Sequence, residues 1–143
     1  MQNKLKGTNC RKIFQDYFTG RLDNYIRLSK SNIDSGRCTG VYLSTYEHLY
    51  PIMLKQREAL LMAYQELNDQ EQTIVSQSFN QELKTAETVA YEQDITVKDV
   101  RKVITHFRAL YAEHGGTDET EKQLLKPIHD QIKTEKRNER KSN

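Results

Sequence analysis

The sequence predicts an all-α fold of five or six helices, with a helix-turn-helix unit in its C-terminal half. Three observations carry this prediction. Apolar residues recur at steps of three and four along most of the chain, the spacing that lines one face of an α-helix. No stretch alternates apolar and polar residues between turn residues, as a half-buried strand would. And 6 glycines and 2 prolines in 143 residues leave little material for the tight turns of a sandwich or barrel. This length suits one domain, or one small domain with tails.

The elements follow in chain order. The polar residues through Asn9 are expected to be loose. Phe14, Tyr17, Phe18, Leu22, Tyr25 and Ile26 then form the stripe of an amphipathic helix starting near Cys10, with Gly20 inside it as a weak point. Ser29 to Gly40, rich in Ser, Asn, Asp and Gly, reads as a flexible loop. Ser44 and Glu47 have capping-box spacing and predict the start of a long helix reaching Leu67. Its seam is Tyr46, Tyr50, Met53, Arg57, Leu60, Tyr64 and Leu67. This spacing suits packing on the first helix or, alternatively, a coiled-coil dimer. Pro51 should kink or split that helix, because it lacks an N–H and crowds the preceding turn.

Asn68 and Glu71 cap the next helix, whose apolar face is Ile74, Val75 and Phe79. After a break from Asn80 to Lys84, a compact helix runs from about Thr85 to Gln93. A tight turn, Asp94-Ile95, leads to a helix capped by Thr96 and Asp99 that stops at Gly115-Gly116. A last helix starts near Asp118, with a kink expected at Pro127 and a frayed basic tail from Lys133. The domain reading is therefore residues 1–40 as N-terminal helix and loop, 41–116 as the long helix leading into the helix-turn-helix, and 117–143 as C-terminal helix and tail. The three together can form one compact domain.

The segment from Lys84 to Thr105 carries a mechanism. Two short helices joined by a tight turn form a DNA-binding unit when small and apolar residues fall at set positions. Ala90 supplies the small residue where the helices cross, and Val89 packs beside it. Ile95 is the apolar residue of the turn, and Val100 and Val103 face inward from the second helix. Asp94 stands where glycine is frequent, and aspartate enters left-handed backbone more readily than most residues. The second helix has a basic outer face, with Lys98, Arg101, Lys102 and Arg108 against Asp99. Placed in the major groove of double-stranded DNA, it would present Thr96, Val97, Lys98, Arg101, Lys102 and Thr105. Lys84 would lie near the phosphate backbone, and Arg108 of the basic face completes the DNA-binding set.

Residues Leu67 to Val75, Phe79, Ala86 to Ala90 and Ile95 to Lys102 together resemble region 4 of bacterial sigma factors. The preceding Arg57 to Glu66 resembles the long helix that leads into that region, as in small phage transcriptional regulators of the ArpU/RinA type. The resemblance covers about residues 54–110. It implies sequence-specific promoter recognition by the helix beginning at Thr96, transcriptional control in a phage, plasmid or bacterial setting, and contact with RNA polymerase. Asp94 and the additional C-terminal helix depart from the family pattern.

Charge and composition bound the rest. Residues 1–37 carry net +5, residues 38–95 net −6 and residues 96–143 net +3. Two basic ends flank an acidic middle, so a basic surface can face a polyanion. No apolar run suits a transmembrane helix or signal peptide, so no membrane partner and a cytoplasmic location with reduced thiols are expected. Two cysteines make no disulfide framework. His48, His106, His114 and His129 lack metal-ligand spacing, no phosphate loop or nucleophile motif occurs, and Glu87 and Glu92 fall on solvated faces. No metal, cofactor or enzymatic activity is expected. One recognition helix binds weakly at physiological salt, so function calls for a homodimer, a partner protein or the basic tail. The alternatives are a helical adaptor or inhibitor that binds a protein through the 46–67 seam, and a phage DNA-packaging component.

Overall fold

The computed structural model describes residues 5–142. Among these residues the chain is all-helical, with eight helices and no strand: α1 (Gly7–Phe18), α2 (Arg21–Asp34), α3 (Gly40–Gln65), α4 (Asp69–Phe79), α5 (Ala86–Gln93), α6 (Val97–Glu113), α7 (Glu121–Leu124) and α8 (Lys126–Ser142). Of the start expected to be loose, residues 1–4 lie outside the described residues, and Gly7 already opens α1. Among the described residues no helix is long and apolar enough to cross a membrane.

The count exceeds five or six because two expected helices are each divided. Gly20 adopts φ 83°, a left-handed conformation that ends α1 and lets α2 start in a new direction. Leu125 separates α7 from α8, and Pro127 then sits in the first turn of α8, where its missing N–H costs nothing. The kink expected at Pro127 is thus a break two residues earlier. α7 is capped by a reciprocal pair absent from the sequence reading, Thr120 and Gln123.

Four further expectations are corrected. Ser29 to Asp34 continue α2 rather than forming a loop, because Ile26 and Ser29 face the core and the Ser29 hydroxyl donates to the Tyr25 carbonyl. The long helix begins at Gly40 with Thr39 as N-cap, so Ser44 and Glu47 form no capping box; the Ser44 hydroxyl donates to the Val41 carbonyl instead. Pro51 does not divide α3: it and Glu47, whose carbonyl loses its helical partner, both lie on the exposed face. The tail from Lys133 is helical, and Tyr42 donates to Glu135 at 3.2 Å.

The main core runs through Ile13 and Phe14 of α1, Leu22 and Ile26 of α2, Leu49, Met53 and Leu60 of α3, Val75 and Phe79 of α4, and Phe107 and Tyr111 of α6. At its centre Phe14 meets Phe79, Phe107 and Tyr111 edge-on, with ring centroids 5.4, 5.0 and 5.2 Å away. The α3 seam only partly follows the expected one: Met53, Leu60 and Leu67 are buried, whereas Arg57 faces outward and pairs with Asp23 at 3.1 Å. Thr45, Leu49, Gln56, Ala59 and Ala63 complete the buried face. Buried Gln56 donates to the Thr117 hydroxyl and the Glu119 carbonyl, which pins the chain after α6 onto α3.

Candidate nucleic-acid interface

The turn between α5 and α6 is set by two residues. Asp94 takes left-handed backbone, φ 56° and ψ 48°. This reverses the chain, so the Ile95 N–H reaches back to the Ala90 carbonyl at 3.0 Å and the Asp94 N–H to that of Tyr91 at 3.3 Å. Ile95 then packs into a second apolar cluster formed by Ile74 of α4, Val89 and Ala90 of α5, and Val100 of α6. Val103 and Ile104 belong to both clusters, so α6 is held from two sides. Ala90 is 5% exposed at the crossing.

Helix α6 is fixed at both ends. Thr96 and Asp99 form the expected capping box, each accepting the other's backbone N–H at 3.0 and 3.3 Å. Gly115 takes φ 87° just past the other end, and the Gly116 N–H returns to the Tyr111 carbonyl at 2.9 Å. With Val100, Phe107, Leu110 and Tyr111 buried, the opposite side carries Lys98, Arg101, Lys102 and Thr105, all exposed. At 3.6 residues per turn these four fall within an arc of about 100°. None of the ion pairs among the described residues includes Lys98, Arg101, Lys102 or Arg108. Asp99, the acidic residue in this part of the helix, is turned to its cap.

The other candidates are placed differently. Lys84 is held between carboxylates, with Nζ 2.8 Å from Glu92 and 3.5 Å from Glu82. Hydrogen bonding to Glu92 holds its ammonium above the ordinary lysine value, and its charge is already matched. The Thr96 hydroxyl is committed to the cap. Val97 is half-buried against the second cluster. Arg108 is half-buried and its guanidinium covers the start of α1: a Cβ on Gly7 would lie 2.9 Å from Nη1.

Sequence reasoning missed Arg11. It is exposed on α1 and lines a cleft of about 650 Å³ together with Arg101, Thr105 and Arg108 of α6 and Glu87 of α5. Nothing local in the sequence signals this meeting of residues some ninety positions apart. Cys10 lies at the floor of the same cleft, 1% exposed. Burial pushes its thiol up to about 11, Asp118 adds to the rise and Arg108 opposes it. Tyr111 is likewise pushed well above the ordinary tyrosine value by burial, and its hydroxyl donates to the Thr117 carbonyl at 2.5 Å. Among the described residues no group of three or more His, Cys, Asp or Glu is placed to hold a metal ion.

Comparison of the chain with models of protein families, with curated proteins and with solved structures finds no match.

Proposed function

We propose that the chain binds double-stranded DNA as a transcriptional regulator, with α5 and α6 acting as a helix-turn-helix and α6 as the helix that enters the major groove. The observation that carries this reading is the arc of Lys98, Arg101 and Lys102, exposed and in no ion pair among the described residues, on a helix fixed by a cap, a tight turn and two apolar clusters. Cations held on a rigid element lose little freedom when they meet phosphates or base edges. The resemblance to sigma-factor region 4 points the same way.

In this reading Arg101 and Lys102 contact guanine edges or phosphates, Lys98 holds the backbone near the start of α6, and Thr105 accepts or donates farther along. Thr96 serves α6 as its cap, and Val97 offers a thymine methyl only its outer edge. Lys84 orders the approach to α5 by its pairing with Glu82 and Glu92, and contributes little free charge. Three or four phosphate contacts give weak binding at physiological salt. A second copy on a neighbouring half-site, or contact with RNA polymerase, would supply the remaining affinity.

The test is fluorescence anisotropy on a mixed-sequence duplex at low salt, comparing wild type with Arg101→Ala/Lys102→Ala. Both positions are exposed, so the variant should keep the wild-type circular dichroism spectrum and melting temperature. Its affinity is expected to fall by roughly tenfold or more, given about 1–3 kcal/mol for a good base contact. A folded variant with unchanged affinity, or a wild type that does not bind duplex DNA at low salt, overturns the proposal.

A further inference from the structure

The cleft between α1 and α6 extends the basic surface beyond the helix that the sequence singles out. Three arginines line it, Arg11 from α1 and Arg101 and Arg108 from α6, against a single carboxylate, Glu87. None of the three is in an ion pair among the described residues. Arg101 and Thr105 belong both to this cleft and to the outward arc of α6, so the two surfaces are continuous. Gly7 lets the Arg108 guanidinium lie directly over the start of α1, which keeps that charge at the cleft rather than out along the helix.

We infer that this cleft seats backbone phosphates of the same duplex that α6 enters, with Arg11 and Arg108 as its cations, so that α1 is a DNA-contacting helix. The inference rests on the reading of α6 given above. A major groove about 12 Å wide is bordered by phosphates on both sides, and an element packed beside a groove-reading helix meets one border. Guanidinium groups suit this role because their paired N–H donors match phosphate oxygens two at a time. The contact carries no sequence information, and it fixes the angle at which α6 approaches.

The experiment measures duplex affinity across a salt series for wild type, Arg11→Ala, Arg11→Lys and Arg101→Ala/Lys102→Ala, on two unrelated duplex sequences. Arg11 is exposed and outside both apolar clusters, so Arg11→Ala should fold as wild type, which its melting temperature checks. Arg11→Ala is expected to weaken binding several-fold on both sequences alike. It should also reduce the slope of log K against log salt by about 1, the loss of one phosphate contact. Arg11→Lys should restore most of the slope. If Arg11→Ala keeps the wild-type affinity and slope while the double variant loses binding, the cleft is not a phosphate site and the α6 reading stands. If Arg11→Ala weakens binding while the double variant does not, the α6 reading falls, and the inference, which seats phosphates of the duplex that α6 enters, falls with it. A wild type that binds neither duplex overturns both.

Discussion

Replacing Phe14 by alanine tests whether α1 is part of the body that holds α6 in place. Phe14 is 1% exposed and meets three rings edge-on, Phe79 from α4 and Phe107 and Tyr111 from α6. Burying a phenylalanine side chain contributes about 1.5–3 kcal/mol, and each favourable aromatic pair adds about 0.5–1.5 kcal/mol. These terms overlap, and measured losses for such truncations are about 3–5 kcal/mol because the cavity collapses only in part. About 4 kcal/mol is therefore expected, a large share of the 5–15 kcal/mol that stabilises a typical domain. At about 2–4 °C per kcal/mol for a chain of this size, the melting temperature should fall by roughly 8–16 °C. Urea unfolding followed by far-ultraviolet circular dichroism gives the free energy, and tyrosine fluorescence supplies a second probe, since the chain has 8 tyrosines and no tryptophan. The two transitions should coincide and shift together. A loss below about 1 kcal/mol, or a variant in which half of the helical signal melts at the wild-type midpoint, would refute the placement of Phe14 in the core that holds α6.

Other expectations follow from single sites. Asp94 sits in left-handed backbone, which costs most side chains roughly 1–2 kcal/mol. Asp94→Gly should leave the melting temperature equal or raise it slightly, Asp94→Val should lower stability by more than about 1 kcal/mol, and equal melting curves for valine and wild type would contradict the turn geometry. Cys10 is buried, and burial raises its thiol from the ordinary 9.0 to about 11. Because the folded form disfavours the thiolate, Cys10 contributes stability fully present below pH 9 and lost as pH rises from 9 towards 11. Tyr111, also raised, acts in the same direction at still higher pH. Denaturant midpoints measured across that range should fall, and less steeply in Cys10→Ala. A thiol reagent should modify half-exposed Cys38 in the native protein and reach Cys10 only in urea; equal rates at the two sites would sink this part of the account.

What was legible in the sequence was local. Asn68 with Glu71 and Thr96 with Asp99 cap helices as their spacing implies, because a capping box is satisfied within four residues. Ala90, Ile95 and Val100 come together because a tight turn leaves them few places to go. What was not legible depends on distant partners. Ser29 to Asp34 has the composition of a loop, yet the packing of α2 on α3 holds it helical. Ser44 and Glu47 have the right spacing and do not cap, since the helix has already started at Gly40. Lys84 looks like a free cation until the fold places Glu92 beside it, and Arg11 looks like an ordinary surface charge until α1 is laid against α6.

The most direct test of the central claim is the salt dependence of wild-type binding to duplex DNA. If Lys98, Arg101 and Lys102 meet phosphates together with the cleft arginines, log K should fall linearly with log salt. For these five cations the slope should be about −4.5, at roughly 0.9 per phosphate neutralised, and it should lose nearly two in Arg101→Ala/Lys102→Ala. A folded protein whose binding is absent at low salt, or indifferent to salt, would show that the basic arc of α6 is a solvated helix face and does not engage DNA.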